Sequence, residues 1–382
     1  MTRTEKLLAE LIALPSVNPA FSSADAALAP SGRPRSGEKD MAEFIAATAA
    51  KAGLEIEFHA VLPGRANVLI RLRPRQEVRQ TILLAPHLDT VVATDAQLNP
   101  IRKQGRLYGR GACDTKGSVA AMLTALLELA KGRTRPQHTE IVLAGLIDEE
   151  YAQAGSRALA ASGFKADLAI VGEPTELQVV TAHKGSLWLQ LETHGQAAHG
   201  STPHLGRNAV HLMARVVDFL ETDYAAELRQ RQHRLLGTAT VNVGQIAGGA
   251  QPNIVPAACR ISVDRRTLPG ESEAQVRREL AARLRANDLE ATVINTKLAP
   301  APALETDFRL PLVRQLFQCA GQKRPVGVNY FCDAALLAAG GIPSVVFGPG
   351  NIAQAHTADE WISLAQLERG KNLLVRYLKS LP

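Results

Sequence analysis

Cysteine is scarce in this chain. The four residues, Cys113, Cys259, Cys319 and Cys332, show neither a C-x-x-C pair nor disulfide-framework spacing. This excludes a disulfide scaffold and a thiolate zinc knuckle and favours a reducing, cytoplasmic compartment. Aromatic residues are only 4% of the sequence and no run of like charges occurs, although Lys+Arg 43 against Asp+Glu 37 leaves a net charge of +6. The basic-aromatic footprint of a nucleic-acid partner is therefore missing. No apolar run approaches the ~18 residues of a membrane span. In MTRTEKLLAELIAL, Glu10 breaks the apolar face, so the segment reads as a surface helix and not as a secretory leader. No G-x-G-x-x-G opens a helix after a strand, and GACDTKGS has no glycine before its lysine. Dinucleotide-binding and phosphate-loop readings, the first alternative for an α/β chain, lose their support.

What is present is a set of short apolar strands that end in acids and imidazoles. Thr81 to Pro86 is apolar without period-two alternation, the pattern of a strand buried on both faces of a parallel sheet, and it runs into His87 and Asp89. IVLAGLID runs into Glu149 and Glu150, and LAIVG into Glu173. Ligands of open α/β sheets bind outside the carboxyl ends of the strands, so the three runs deliver these side chains to one edge. Between them, after GRGACDTKGS, Val119, Met122, Leu123 and Leu126 recur at helical spacing, which makes a βαβ unit.

At 382 residues the chain fits two domains. Leu7, Leu8, Leu11 and Ile12 predict a first helix that stops before Pro15; residues 18 to 37 read as a loop, and 38 to 51 as a helix. From about His183 the pattern becomes strand (SLWLQLETHG), helix (Val210 to Val217), strands (TATVNVGQI and ACRISVD), helix (from Ser272, with Gln275 at capping-box spacing) and strand (ATVINTKL). That order is a split βαβ arrangement inserted into the first domain. The expected division is 1–183 with 299–382 as an α/β, mainly parallel-sheet catalytic domain, and 184–298 as a ferredoxin-like lid.

His87, Asp114, Glu150, Glu173 and His356 offer two imidazoles and three carboxylates, too few for two tetrahedral ions unless one carboxylate bridges. Such a two-metal centre polarises a carbonyl and acidifies water, and Glu149, beside a ligand, is placed to take that water's proton. Singly each residue is weak evidence: a lone histidine at a strand end is more often structural, and D-E-E is more often a solvated turn. Their common strand-end position argues otherwise, because buried acids are costly without a cation.

HLDT, GRGACDTKGS, DEE, GEPTELQVVTAHKG, GQAAHGSTP, DRRTLPGE and GPGNIAQAHTADEWI, over residues 81 to 362, resemble in order the motifs of the di-zinc amidohydrolase and peptidase family. That family includes acetylornithine deacetylase, succinyl-diaminopimelate desuccinylase, aminoacylase and glutamate carboxypeptidase; the closest look is to acetylornithine deacetylase. The resemblance implies two divalent ions, zinc or alternatively cobalt, with His87 and Glu173 on one, Glu150 and His356 on the other, and Asp114 bridging. It implies Asp89 as the acid that orients His87, Glu149 as general base, His199 as the oxyanion-steadying histidine supplied across a homodimer through the lid, Arg266 as partner of a substrate carboxylate, and Asn253 as a polar lid contact. Plainer readings stand beside these: His199 as a cap of the following helix, Arg266 as partner of Asp264, and Asn253 as a turn residue. Asp333 is the one acid offered for a cationic substrate tail, against an ordinary loop aspartate. The implied substrate is a small N-acyl amino acid or dipeptide. Within the family the alternatives are a desuccinylase or a carboxypeptidase, and outside it a catalytically inactive binding module.

Overall fold

The computed structural model describes residues 1–21, 37–132, 135–294 and 300–382. Most of the segment read as a loop between 18 and 37, and the end of the strand read at 291–298, lie outside the described residues. The chain forms two compact units, Met1–Thr181 with Thr306–Val326 and Cys332–Pro382, and Ala182–Glu305 with Gly327–Phe331.

In the first unit, Thr2 caps α1 (Arg3–Ala13) by accepting the Glu5 amide, and Leu7, Leu8, Leu11 and Ile12 are buried. Helix α2 (Lys39–Ala50) buries Met41 and Ile45. Strands β1 (Glu55–Leu62), β2 (Arg65–Leu72), β3 (Gln80–Pro86), β4 (Thr139–Gly145) and β5 (Leu168–Gly172) form one sheet in the order β1-β2-β4-β3-β5. The three central members β4, β3 and β5 run parallel. Ile82, Leu84, Ile141, Leu143, Leu168 and Ile170 pack into the main core. Leu83, Val142 and Ala169, one position on and therefore directed to the opposite face, are equally buried. Burial of both faces is why these strands show no alternation.

Helix α3 (Lys116–Lys131) follows the GRGACDTKGS loop, and α4 (Ala154–Ala161) follows the turn after β4. The stripe of Val119, Met122, Leu123 and Leu126 predicted one buried face on α3. In the structure Ala120, Ala121, Ala125 and Leu129 are buried as well, because α1 and the C-terminal helix pack against this helix too. Small alanines allow that close approach from the other side. Lys116, at its start, donates from Nζ to the Leu11 and Leu14 carbonyls at 2.9 and 2.7 Å, tying the end of α1 to this loop.

The second unit contains strands β6 (Gly185–His194), β7 (Thr240–Gly248), β8 (Ala258–Thr267) and β9 (Thr292–Ile294) in an antiparallel sheet ordered β7-β8-β6-β9. Helices α5 (Ala209–Phe219) and α6 (Glu273–Ala286) complete it, and Ser272 and Gln275 form the expected capping box. Leu187, Leu189, Leu191, Ile261 and Val263 pack with Met213, Val216, Val276, Leu280 and Leu284. Strand, helix, two strands, helix and strand in this sheet order is the ferredoxin-like split βαβ fold. The chain then returns through α7 (Pro311–Ala320) and α8 (Ala334–Ala339), adds β10 (Ser344–Val346) parallel to β5, and ends in α9 (Leu364–Lys379). All four cysteines are free. Among the described residues, no helix is long and apolar enough to cross a membrane.

Candidate metal centre

The parallel register aligns the ends of the three central strands. Pro86 lies opposite Gly172, and His87 bridges to Leu146, so His87, the 148–150 turn and Glu173 emerge side by side. Asp114 is brought to them by the loop before α3, where Thr115 Oγ1 donates to the Gly172 carbonyl at 2.7 Å. His356 comes from the loop after β10 and holds a left-handed backbone with φ of 62°.

The two oxygens of Asp114 face different partners. Oδ1 is 3.1 Å from His87 Nε2, which lies 3.9 Å from Glu173 Oε1. Oδ2 is 3.3 Å from His356 Nε2, which lies 3.0 Å from Glu150 Oε2. One donor atom each from His87, Asp114 and Glu150 falls within 4.8 Å of the others. The His87, Asp114, Glu150 and Glu173 side chains are all at least nine-tenths buried, whereas that of His356 is 53% exposed, which opens its side of the cluster to solvent.

Burial raises the carboxyls of Glu149 and Glu173 well above their usual range and raises Glu150 too, with neighbouring acids adding to it. Burial also raises Asp114, yet hydrogen bonds from His356 and His87 outweigh it and hold this carboxyl below its usual range. Burial opposes charging of His87, but Asp114 and Asp89 raise it well above the ordinary imidazole value. His356 is raised to about 10 by Asp114 and Glu150. Protons on two imidazoles thus offset the acids in the ion-free chain. The Glu150 Oε1 atom is buried and has no hydrogen-bond partner among the described residues. A converging set of two imidazoles and three carboxylates, with an orphaned acceptor, fits hard or borderline divalent cations, whose binding displaces those imidazolium protons. Cys113, adjacent to Asp114, has its Sγ 3.3 Å from the Asn351 carbonyl as a hydrogen-bond donor, and burial pushes its thiol up, so it remains a neutral core group.

Several residues that position the site carried no local signal. Asp89 was expected to orient His87 through its carboxylate. The nearest acceptor to His87 Nδ1 is instead the Asp89 carbonyl, at 3.0 Å, with the carboxylate at 3.5 Å. The carboxylate accepts the Glu149 and Glu150 amides at 3.0 and 3.1 Å and Asn18 Nδ2 at 2.7 Å, so it also holds the acidic turn. Asp148, at φ of 68°, is held by Asn18 and Arg65, and its amide donates to Glu38. Asn18, Glu38 and Arg65 all lie in the first eighty residues, where no motif drew notice.

Asn67 on β2 is fully buried; its Nδ2 donates to the Gly155 carbonyl at 2.9 Å and its Oδ1 accepts the Ile147 amide at 3.1 Å. A Cβ at residue 155 would sit 2.6 Å from Asn67 Oδ1 and from the Ile147 backbone, so only glycine admits this approach. Asn67→Leu leaves the Ile147 amide without its acceptor and removes a donor from the Gly155 carbonyl, and should cost about 2–4 kcal/mol, at about 1–3 kcal/mol for the buried orphan and about 1 kcal/mol for the second lost bond. An unchanged urea midpoint in the first unit's transition would contradict this.

In the second unit the His199 and Asn253 segments meet: His199 bridges to Ile254, and the Gly200 amide donates to the Asn253 carbonyl at 2.8 Å. His199 is exposed, with Nδ1 2.7 Å from Ser201 Oγ. The cap of α5 is Asn208, not His199. Arg266 donates from Nε to Asp264 at 2.9 Å, the pairing weighed as its plainer reading, and its guanidinium lies 5.4 Å from the Phe331 ring centre. Asp333 is buried, and its Oδ1 accepts the Ser156 hydroxyl.

Comparison with known proteins bears on the whole chain. The model of Peptidase family M20/M25/M40 matches residues 83–380. Acetylornithine deacetylase of Proteus mirabilis is 32% identical over 311 residues, covering 78% of this chain and 79% of that one. The protein of the same name from Edwardsiella ictaluri is 31% identical over 346 residues, covering 85% and 86%. Among solved structures, aminopeptidase PepT from Bacillus cereus superposes with a TM-score of 0.77 at 21% identity, covering 99% of this chain and 97% of that one. A metallo-carboxypeptidase of the M20 family from Sulfolobus solfataricus gives 0.75 at 19% identity, covering 99% of both. These structural likenesses establish the fold. With the family match over most of the chain and the buried cluster of His87, Asp114 and Glu150, this chain belongs to Peptidase family M20/M25/M40 and is a metal-dependent hydrolase.

Proposed function

We propose that the chain hydrolyses the amide bond of N-acyl-L-amino acids, N-acetyl-L-ornithine among them. The observation that carries the reading is the placement of Asp114, one carboxylate oxygen toward His87 and Glu173 and the other toward His356 and Glu150. Asp114 would be shared between two divalent ions, zinc or cobalt, with each histidine–glutamate pair completing one side. Ions held there would polarise the acyl carbonyl and lower the pKa of bound water toward ~7.

The chain's own groups would do the rest. Glu149 sits on the same turn as Glu150, its amide fixed by Asp89. Its carboxylate takes the proton of the attacking water and returns it to the amine nitrogen as the carbon–nitrogen bond breaks. Burial, which raises this carboxyl, suits a base that must hold a proton between the two steps. Asp89 and the Asp89 carbonyl fix the His87 ring, so that Nε2 is the nitrogen presented to the ion. His199 would steady the developing oxyanion, as part of a homodimer formed through the second unit. Arg266 would pair with the substrate's α-carboxylate, and Asn253 would serve as a polar lid contact. Asp333 is buried, with Oδ1 taken by Ser156, and has only its other oxygen to offer a cationic tail. The amine-side carboxylate is therefore the firmer element of specificity and the ornithine side chain the weaker.

The names of the sequence relatives support the amino-acid half of the substrate. Zinc- and cobalt-loaded protein assayed on N-acetyl, N-succinyl and dipeptide substrates tests it; faster cleavage of dipeptides than of every N-acetyl amino acid would replace the deacylase reading with a peptidase one. Arg266→Ala should mainly raise KM, because a contact equally strong in ground and transition states lowers binding and leaves turnover unchanged. The methyl ester of the best substrate should be cut less efficiently than the free acid by the unaltered enzyme, and equally by Arg266→Ala. Equal kcat/KM for acid and ester in the unaltered enzyme would remove the carboxylate contact.

A further inference from the structure

Glu360 lies four residues beyond His356, is 2% exposed, and has the loop that carries Asp114 wrapped around its carboxylate. Oε1 accepts the amides of Cys113 and Asp114 at 2.8 and 3.0 Å. Oε2 accepts the Gly111 amide at 3.0 Å and Arg110 Nη1 at 2.8 Å. The Glu360 carbonyl takes the Gly109 amide at 3.0 Å, so five donors from six consecutive residues converge on one side-chain and backbone unit. Arg110 is itself anchored, its Nε donating to the Val92 carbonyl at 3.0 Å and its amide to Gln97 at 2.9 Å.

We propose that Glu360 is a positioning residue for the metal centre, acting by locking the Asp114 loop to the His356 segment so that the carboxylate and the imidazole stand at a fixed separation before any ion arrives. The inference rests on the two-ion reading above and extends it to a residue that touches neither ion nor substrate. Every contact on this carboxylate is a donated hydrogen bond, which an acceptor-only group satisfies and no neutral side chain of the same shape does. Glutamine would keep one oxygen for two of the four donors. Its nitrogen would face the Gly111 amide and the Arg110 guanidinium in one flip and the Cys113 and Asp114 amides in the other, donor against donor in both. The loop would then relax, carrying Asp114 away from His356 Nε2, 3.3 Å distant in this structure. Misplacing a group that orients a metal ligand typically costs about 10–100-fold in metal affinity.

The test is cobalt titration of the metal-free chain, unaltered and as Glu360→Gln, following the visible d–d absorption and determining Kd against a competing chelator, with thermal unfolding of both metal-free proteins. Folded Glu360→Gln is expected to bind cobalt about 10–100-fold more weakly, with an altered absorption band. A merely structural Glu360 predicts a lowered melting temperature with unchanged affinity and spectrum, and that result overturns the proposal. Should Glu360→Gln not fold, Glu360→Asp, which keeps the charge but falls one methylene short, carries the same test: a measurable loss of affinity with a changed spectrum supports the proposal, and cobalt binding identical to the unaltered chain overturns it. Failure of the unaltered chain to bind cobalt would instead overturn the metal-centre reading, and this inference with it.

Discussion

Glu149→Ala is expected to lower kcat by about 10²–10⁴-fold, the usual worth of a general base, with metal content unchanged. The adjacent Glu150→Ala should lose both activity and metal. The contrast arises because neighbouring side chains on one turn have different company. Glu150 Oε2 lies 3.0 Å from His356 Nε2, within the donor cluster, whereas the Glu149 carboxylate forms no ion pair with either histidine among the described residues. Their backbone amides are held alike by Asp89, so neither substitution removes the hydrogen bonds that shape the turn. Elemental analysis of gel-filtered protein, beside steady-state kinetics, separates the two. Near-normal turnover in Glu149→Ala would remove it as the base, and a metal loss matching that of Glu150→Ala would make it a ligand.

Removal of metal should abolish hydrolysis altogether, with zinc or cobalt restoring it, and Asp114→Ala should leave an enzyme that no added metal restores. Asp114 is the one side chain of the cluster within 3.3 Å of both histidines. In the proposed two-ion centre its loss would take a ligand from both ions at once, whereas loss of His87 or His356 would take a ligand from one. The expected metal content is two ions per chain in the unaltered protein, one in His356→Ala, and less than one in Asp114→Ala. Full activity in protein shown to contain no metal would defeat the mechanism. Two tightly bound ions in Asp114→Ala would defeat the shared-carboxylate geometry alone.

The residues at the strand ends were legible in the sequence because their signal is local. An apolar run with no alternation can only be a strand buried on both faces or a piece of buried helix, and β3, β4 and β5 are too short for helices. A polar group immediately after such a run must stand at the sheet's edge, so His87, the Asp148–Glu150 turn and Glu173 could be placed together before any coordinates. The second unit was equally readable, since period-two and helical stripes alternate along it and Ser272 with Gln275 announces α6. Asp114 and His356 entered the donor set by residue type, since no periodicity marks their loops, and the family motifs supplied only their roles.

Tertiary structure alone decided what holds these groups. Glu360 is 246 positions from Asp114, Asn18 is 130 from Asp148, and Asn67 is 88 from Gly155. A hydrogen bond across such a separation leaves no trace in local periodicity, because either partner alone is compatible with an ordinary exposed turn. The same limit hid the burial of α3 on its alanine side, which needs α1 and α9 to arrive from opposite ends of the chain, and the return of Gly327–Phe331 to the second unit. Periodicity records which face of an element meets apolar surroundings. The identity of the partner is settled only when folding has removed water from both groups, leaving a buried donor to find its acceptor or remain unpaired at a cost of about 1–3 kcal/mol.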